Sequence, residues 1–152
     1  MSDTGRALAL AYRFIDRRER TTAEVRMRLE REELPADEVD SALAELTELG
    51  YLDDARFARV FAEDKRNLGD WGSERIERAL LERGIDPRLV AAVGSGSATD
   101  DEHERALALA RRRFPAPSDD PREHQRVLGM LIRKGYDSDL AYDVVRAWSR
   151  VV

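Results

Sequence analysis

The sequence predicts an all-α fold: three tandem three-helix repeats stacked in an elongated, curved array. Three observations predict it. An apolar pattern recurs at an offset of 51 residues, so that Val25, Ile76 and Val127 correspond, as do Leu29, Leu80 and Leu131. Leu34, Ile85 and Tyr136 follow, then Val39, Val90 and Ala141. Charged residues make up 38% of the chain, against a usual share of about 25%. That much charge, with few β-branched and aromatic residues, suits helices with one wet face. Finally, no stretch shows the alternating pattern of a strand. The repeats span residues 5–52, 53–98 and 99–150, and the chain is expected to be a monomer.

In the first repeat, Ala7, Leu8, Ala11, Tyr12 and Ile15 fall at helical spacing and define an amphipathic helix. Thr21 followed by Glu24 is a capping box for a second helix through Val25 and Leu29. Pro35 opens a third, with Val39, Ala42, Leu43 and Leu46 on its apolar side, and Gly50 closes it. The second repeat starts with Asp53 as N-cap of a helix burying Phe57, Val60 and Phe61. Trp71-Gly72-Ser73 breaks the chain, and Ser73 is expected to cap the next helix through Ile76, Leu80 and Leu81. Gly84 stops that helix, Asp86-Pro87 starts a short third one, and Gly94-Ser95-Gly96-Ser97 reads as a hinge.

The third repeat begins with a second capping box, Thr99 to Glu102. Its Arg105-Ala106-Leu107-Ala108-Leu109-Ala110 repeats Arg6-Ala7-Leu8-Ala9-Leu10-Ala11 letter for letter. Asp120-Pro121-Arg122-Glu123 caps the following helix, while Gly135 and Asp137 take the places of Gly84 and Asp86. The first repeat has Glu33 where the others have glycine, so its turn is expected to differ.

The block Gly50-Tyr51-Leu52-Asp53-Asp54-Ala55-Arg56-Phe57-Ala58 resembles the signature of the RecX regulatory proteins. Gly72-Ser73-Glu74-Arg75-Ile76, Leu80 and Arg83-Gly84-Ile85 resemble that family's middle repeat, and Gln125, Leu131 and Arg133-Lys134-Gly135-Tyr136 its last. The resemblance covers most of residues 6–148, repeat order included. It implies binding to RecA, the bacterial recombinase, in its filament on single-stranded DNA, and restraint of filament growth and of the activities that depend on it. Residues 1–52, at −4 against −1 for 53–99 and 0 for 100–152, make the first repeat acidic and argue against a DNA contact there.

Composition narrows the alternatives. The net charge of −5 disfavours nonspecific nucleic-acid attraction by the whole surface. With no cysteine there is neither a disulfide nor a thiolate metal site. No apolar run nears the roughly 20 residues of a membrane span, and Met1–Gly5 lacks the features of a signal peptide, so a soluble cytoplasmic protein is expected. GxxxxGK[ST], GxGxxG and HExxH are all absent, leaving no visible phosphate cradle or metal pair. His103 and His124 read as solvated helix residues, Asp53-Asp54 as capping acids, Trp148 as core and Trp71 as packed beneath its loop. The chain is therefore expected to be no enzyme and to need no cofactor.

The candidate binding residues are basic clusters at helix ends: Arg17, Arg18 and Arg20; Lys65 and Arg66; Arg111, Arg112 and Arg113; then Arg133 and Lys134. Cations near helix C-termini offset the macrodipole, which could explain every cluster. Recurrence at equivalent helix ends would also set them in a row suited to a phosphate backbone or an acidic protein strip. An alternative is a helix-turn-helix transcriptional regulator, with Leu80–Val93 as the DNA-reading pair. Against it, the third helix of repeat one offers Asp37, Glu38, Asp40, Glu45 and Glu48 and no base, and that of repeat two only Arg88. A general helical scaffold is the third reading.

Overall fold

The computed structural model describes residues 3–94 and 99–150. Among these residues the chain forms nine helices and no strand. They are α1 (Asp3–Arg17), α2 (Thr22–Arg31), α3 (Ala36–Glu48), α4 (Asp54–Gly69), α5 (Ser73–Glu82), α6 (Pro87–Gly94), α7 (Thr99–Arg113), α8 (Pro121–Arg133) and α9 (Ser138–Ser149). Ser95, Gly96 and Ser97 of the expected hinge lie outside the described residues, as does the Thr99 side chain of the second capping box.

Two compact units divide the chain, Met1–Val60 with Leu80–Val90, and Phe61–Ala79 with Ala91–Val152. The division passes through α4, α5 and α6, so each unit holds one whole end repeat and part of the middle one. In the first unit α1, α2 and α3 pack on one another around Val25, Leu29, Val39, Leu43, Leu46 and Leu52. In the second, α7, α8 and α9 enclose Leu109, Val127, Leu131, Tyr136, Val144 and Trp148. The indole N–H of Trp148 donates to the Phe114 carbonyl at 2.8 Å, so the ring is buried with its polar atom satisfied.

All twelve positions joined by the 51-residue offset are buried, none more than 8% exposed. The periodicity therefore marked the inward face of each helix. It failed for three large side chains, of which Tyr12 on α1 is 38% exposed. Val60, expected in the core, is 39% exposed because α4 turns Phe57, Ala58 and Ala62 inward, and Leu81 is 48% exposed one position past the buried Leu80. Val60 and Leu81 each stand beside the inward stripe, formed by Phe57, Ala58 and Ala62 on α4 and by Ile76 and Leu80 on α5.

Local chemistry sets the helix ends. Thr21 accepts from the Glu24 N–H while Glu24 accepts from the Thr21 N–H, the full capping box. Asp53 accepts from the Arg56 N–H at 3.0 Å, Asp120 from Arg122, and Asp137 from Asp139 and Leu140. Pro35 stands just before α3 as its N-cap. Ser73 does not cap α5; it is the first helical residue, and its N–H and hydroxyl bond elsewhere. The turn at Glu33 also departs from expectation. Glu33 has φ 57°, the left-handed conformation that Gly84 and Gly135 adopt at 81° and 98°, so the three turns are alike in backbone.

Thr21 is fully buried, and its hydroxyl also donates to the Arg83 carbonyl at 2.7 Å. Thr21→Ala is expected to destabilise the protein by about 1–2 kcal/mol through loss of the cap. Urea unfolding measures it, and a loss below about 0.5 kcal/mol would show that water replaces the hydroxyl without penalty.

Candidate functional site

The repeat offset that matches the core also matches the joints. In the first unit Thr21 donates to the Arg83 carbonyl, and the Thr22 N–H and hydroxyl donate to Asp54 at 2.9 and 3.1 Å. In the second unit the Gly72 N–H donates to the Lys134 carbonyl at 2.7 Å, and the Ser73 N–H donates to Glu102 at 2.8 Å. Thr21 and Gly72, Thr22 and Ser73, and Arg83 and Lys134 are each 51 residues apart. Gly84 faces Ala23 and Gly135 faces Arg75 so closely that a Cβ on either glycine would overlap the neighbour's side chain. Glycine is needed at these two turns for space as well as for φ, whereas Glu33 is exposed. Of the Asp53-Asp54 pair, the first caps α4 and the second holds Thr22.

Charge at the two joints differs. Burial raises the pKa of the Glu24 carboxyl, but hydrogen bonds from Thr21 and from the Arg83 guanidinium, at 2.9 Å, outweigh it and hold the group below its ordinary value. At the second joint Glu74 meets Asp137 instead; burial, then that like charge, pushes its carboxyl up. Beside it the buried Tyr136 hydroxyl donates to the Asp70 carbonyl at 3.0 Å, and burial followed by the Asp70 charge raises it to about 12.

The candidate cations separate into engaged and open groups. Arg20 stacks on the Phe14 ring at 4.0 Å, and its Nε is buried without a hydrogen-bond partner. Burial, then the nearby Arg18, lowers its pKa. Lys65 sits over Trp71 at 4.9 Å, and Arg66 donates to the Val93 carbonyl at 2.6 Å. Lys134 donates to the Gly69 carbonyl at 2.9 Å, and Arg112 pairs with Asp70 at 2.9 Å. Trp71 is half-buried between Lys65 and Arg75, with Phe61 against its edge, so it packs within its loop as expected. Arg17, Arg18, Arg111, Arg113 and Arg133 are exposed and form no ion pair among the described residues. Arg113 and Arg133 line one groove with Phe114, Gln125, Arg126 and Met130.

Sequence reasoning missed Arg13, Arg28 and Arg31. With Arg17 they line two adjoining clefts, one on α1 and α2 and a wider one that Glu82, Arg83 and Gly84 at the end of α5 also wall. The signal was present in the spacing, since Arg13 and Arg17 are one turn apart and Arg28 and Arg31 fall on one helix face. Among the described residues, no group of three or more His, Cys, Asp or Glu could hold a metal, and no helix is long and apolar enough to cross a membrane. His124 bonds the Ser118 carbonyl at 2.8 Å and lies edge-on to Trp148, a local structural contact.

Three family profiles match the chain in order: RecX, first three-helix domain, at residues 7–46; second, at 53–93; third, at 100–145. A Regulatory protein RecX from Thermobifida fusca is 37% identical over 93% of this chain and 77% of its own length. One from Trichlorobacter lovleyi is 37% identical over 86% of this chain and 87% of its own, and one from Mycobacterium avium 34% over 93% and 83%. A crystal structure of RecX from Lactobacillus salivarius superposes with a TM-score of 0.84 at 19% identity, covering 96% of both chains, which speaks to the fold.

Proposed function

The chain belongs to the RecX family of regulatory proteins, and from that premise we propose that it binds the RecA filament on single-stranded DNA and restrains filament growth and activity. It does so as a cytoplasmic monomer, without chemistry of its own. The observation that carries this reading is the recurrence of open arginines at first-helix ends, Arg17 closing α1 with Arg18 next to it, and Arg111 and Arg113 at the end of α7. They stand out in a chain of net charge −5. A filament repeats its surface, and two linked contacts on it can bind about 10²–10⁴ times more tightly than one. Differential binding alone shifts an assembly equilibrium, so restraint needs no catalytic group.

RecA ATP turnover on single-stranded DNA is the test. Suppression at less than one protein per RecA supports the reading, and unchanged turnover at a several-fold excess overturns it. Arg111→Glu with Arg113→Glu is expected to weaken filament binding while the fold survives. Each reversal removes only about 0.3–1 kcal/mol of macrodipole stabilisation at an exposed helix end. Arg112 is left in place because it holds Asp70. A lowered melting temperature with parental filament affinity would assign these two side chains to the helix alone.

A further inference from the structure

The first repeat is acidic in sum and strongly divided in space. Its eight basic residues all lie between positions 6 and 31, while residues 32–52 hold seven acids and no base. Folding therefore places the cations on α1, α2 and the link between them, and leaves α3 acidic. On the cationic side two clefts, of about 150 and 340 Å³, share Phe14 and Arg28. Arg13, Arg17 and Arg31 stand at their rims, exposed and in no ion pair among the described residues. Arg28 is shared with Glu32 at 2.5 Å, and Met27, 57% exposed, adds apolar surface beside Phe14.

We infer that this α1–α2 face of the first unit is a binding surface for single-stranded nucleic acid. The guanidinium groups take phosphates, and a base lies against Met27 and the part of Phe14 that Arg20, stacked on its ring at 4.0 Å, leaves open to the cleft. The inference deepens the reading above by naming which component of the filament this face meets. Donor and acceptor balance favours a polynucleotide over an acidic peptide. Guanidinium groups only donate, and of the two carboxylates lining the wider cleft Glu24 is taken up by Thr21 and Arg83, leaving Glu82. A peptide would bring backbone N–H groups with almost nothing to receive them; a phosphodiester strand brings acceptors along its backbone. A duplex offers the same phosphates but keeps its base faces stacked, leaving the apolar surface uncovered. Arg13 and Arg17, one turn apart, sit about 6 Å from each other along the α1 axis, so both can meet one strand.

The full chain is titrated onto a labelled thirty-residue oligothymidylate without RecA, at about 50 mM salt and upward. The Arg13→Glu, Arg31→Glu double variant is compared with Arg59→Glu, Arg88→Glu, which changes net charge equally at exposed positions off this face. Circular dichroism establishes that both fold, and Arg13→Gln with Arg31→Gln replaces the first pair if it does not. The first pair is expected to weaken binding about tenfold and to flatten the salt dependence by roughly 0.7 in log–log slope per lost phosphate contact. The second pair should stay within about twofold of the parent. Three outcomes overturn the inference: no binding by the parent, parental binding by the first pair, or equal losses in both pairs. If the first pair binds the oligonucleotide normally but no longer suppresses RecA turnover, the face meets filament protein, and the proposed function stands without this inference. If the parent binds the oligonucleotide through this face yet leaves RecA turnover unchanged, the inference stands and the proposed function fails.

Discussion

Gly135→Ala is expected to lower stability by about 2–5 kcal/mol, combining roughly 1–2 for a left-handed alanine with roughly 1–3 for crowding a packed joint. Gly135 has φ 98°, and a Cβ placed on it would overlap the Arg75 side chain and come within 2.7 Å of the Arg75 backbone nitrogen. The obstacle is the start of α5, held there by the Gly72 N–H on the Lys134 carbonyl and the Glu74 N–H on the Gly135 carbonyl. Neither group can retreat without breaking that pairing. Gly50 supplies the control, because its φ is 83° and nothing lies within 4 Å of its Cβ position. Gly50→Ala should therefore show the backbone cost alone. Urea unfolding of both variants gives the difference, and equal losses would mean that the second joint has slack that its short contacts do not suggest.

The second large effect is expected at Leu80. Its side chain is 0% exposed, and Leu80→Ala should cost about 2–5 kcal/mol through lost burial and the cavity left behind. Leu81, its immediate neighbour, is 48% exposed, so Leu81→Ala should change stability by less than about 0.5 kcal/mol. The pair separates burial from helix propensity, because both substitutions put the same residue into α5. Equal effects at the two positions would break the link between the 51-residue pattern and the core.

That pattern made the core legible because burial in a helix has a period, and a repeated unit shows the period three times. Val25, Ile76 and Val127 needed no structure to be matched. Capping acids and hydroxyls were legible for a similar reason, since Thr21, Asp53 and Asp137 act within three residues of themselves. What escaped was chemistry that acts across repeats. Ser73 looked like a cap but bonds Glu102, and Asp54 looked like one of two capping acids but holds Thr22. Glu33 misled because glycine at Gly84 and Gly135 suggested a demand of the turn, when the closer constraint is the helix packed against each. The face bearing Arg13 and Arg31 was hidden by arithmetic. A net charge sums over a repeat, while a partner meets one side of it.

The joints have a consequence for inheritance. Their acceptors at Arg83 and Lys134 are main-chain carbonyls, and at Gly72 the donor is main chain as well. The carbonyl bond itself is made whatever the side chain at Arg83 or Lys134, whereas Gly72 admits no side chain, since a Cβ there would come within 2.5 Å of the Gly135 backbone. The constraint is then concentrated on the few places where atoms nearly touch, the glycines at 72, 84 and 135. A segment copied together with its turn and its helix start carries both halves of its own seam, and a duplicate can join its parent on arrival. Lengthening such a chain by gene duplication asks for no new invention at the boundary.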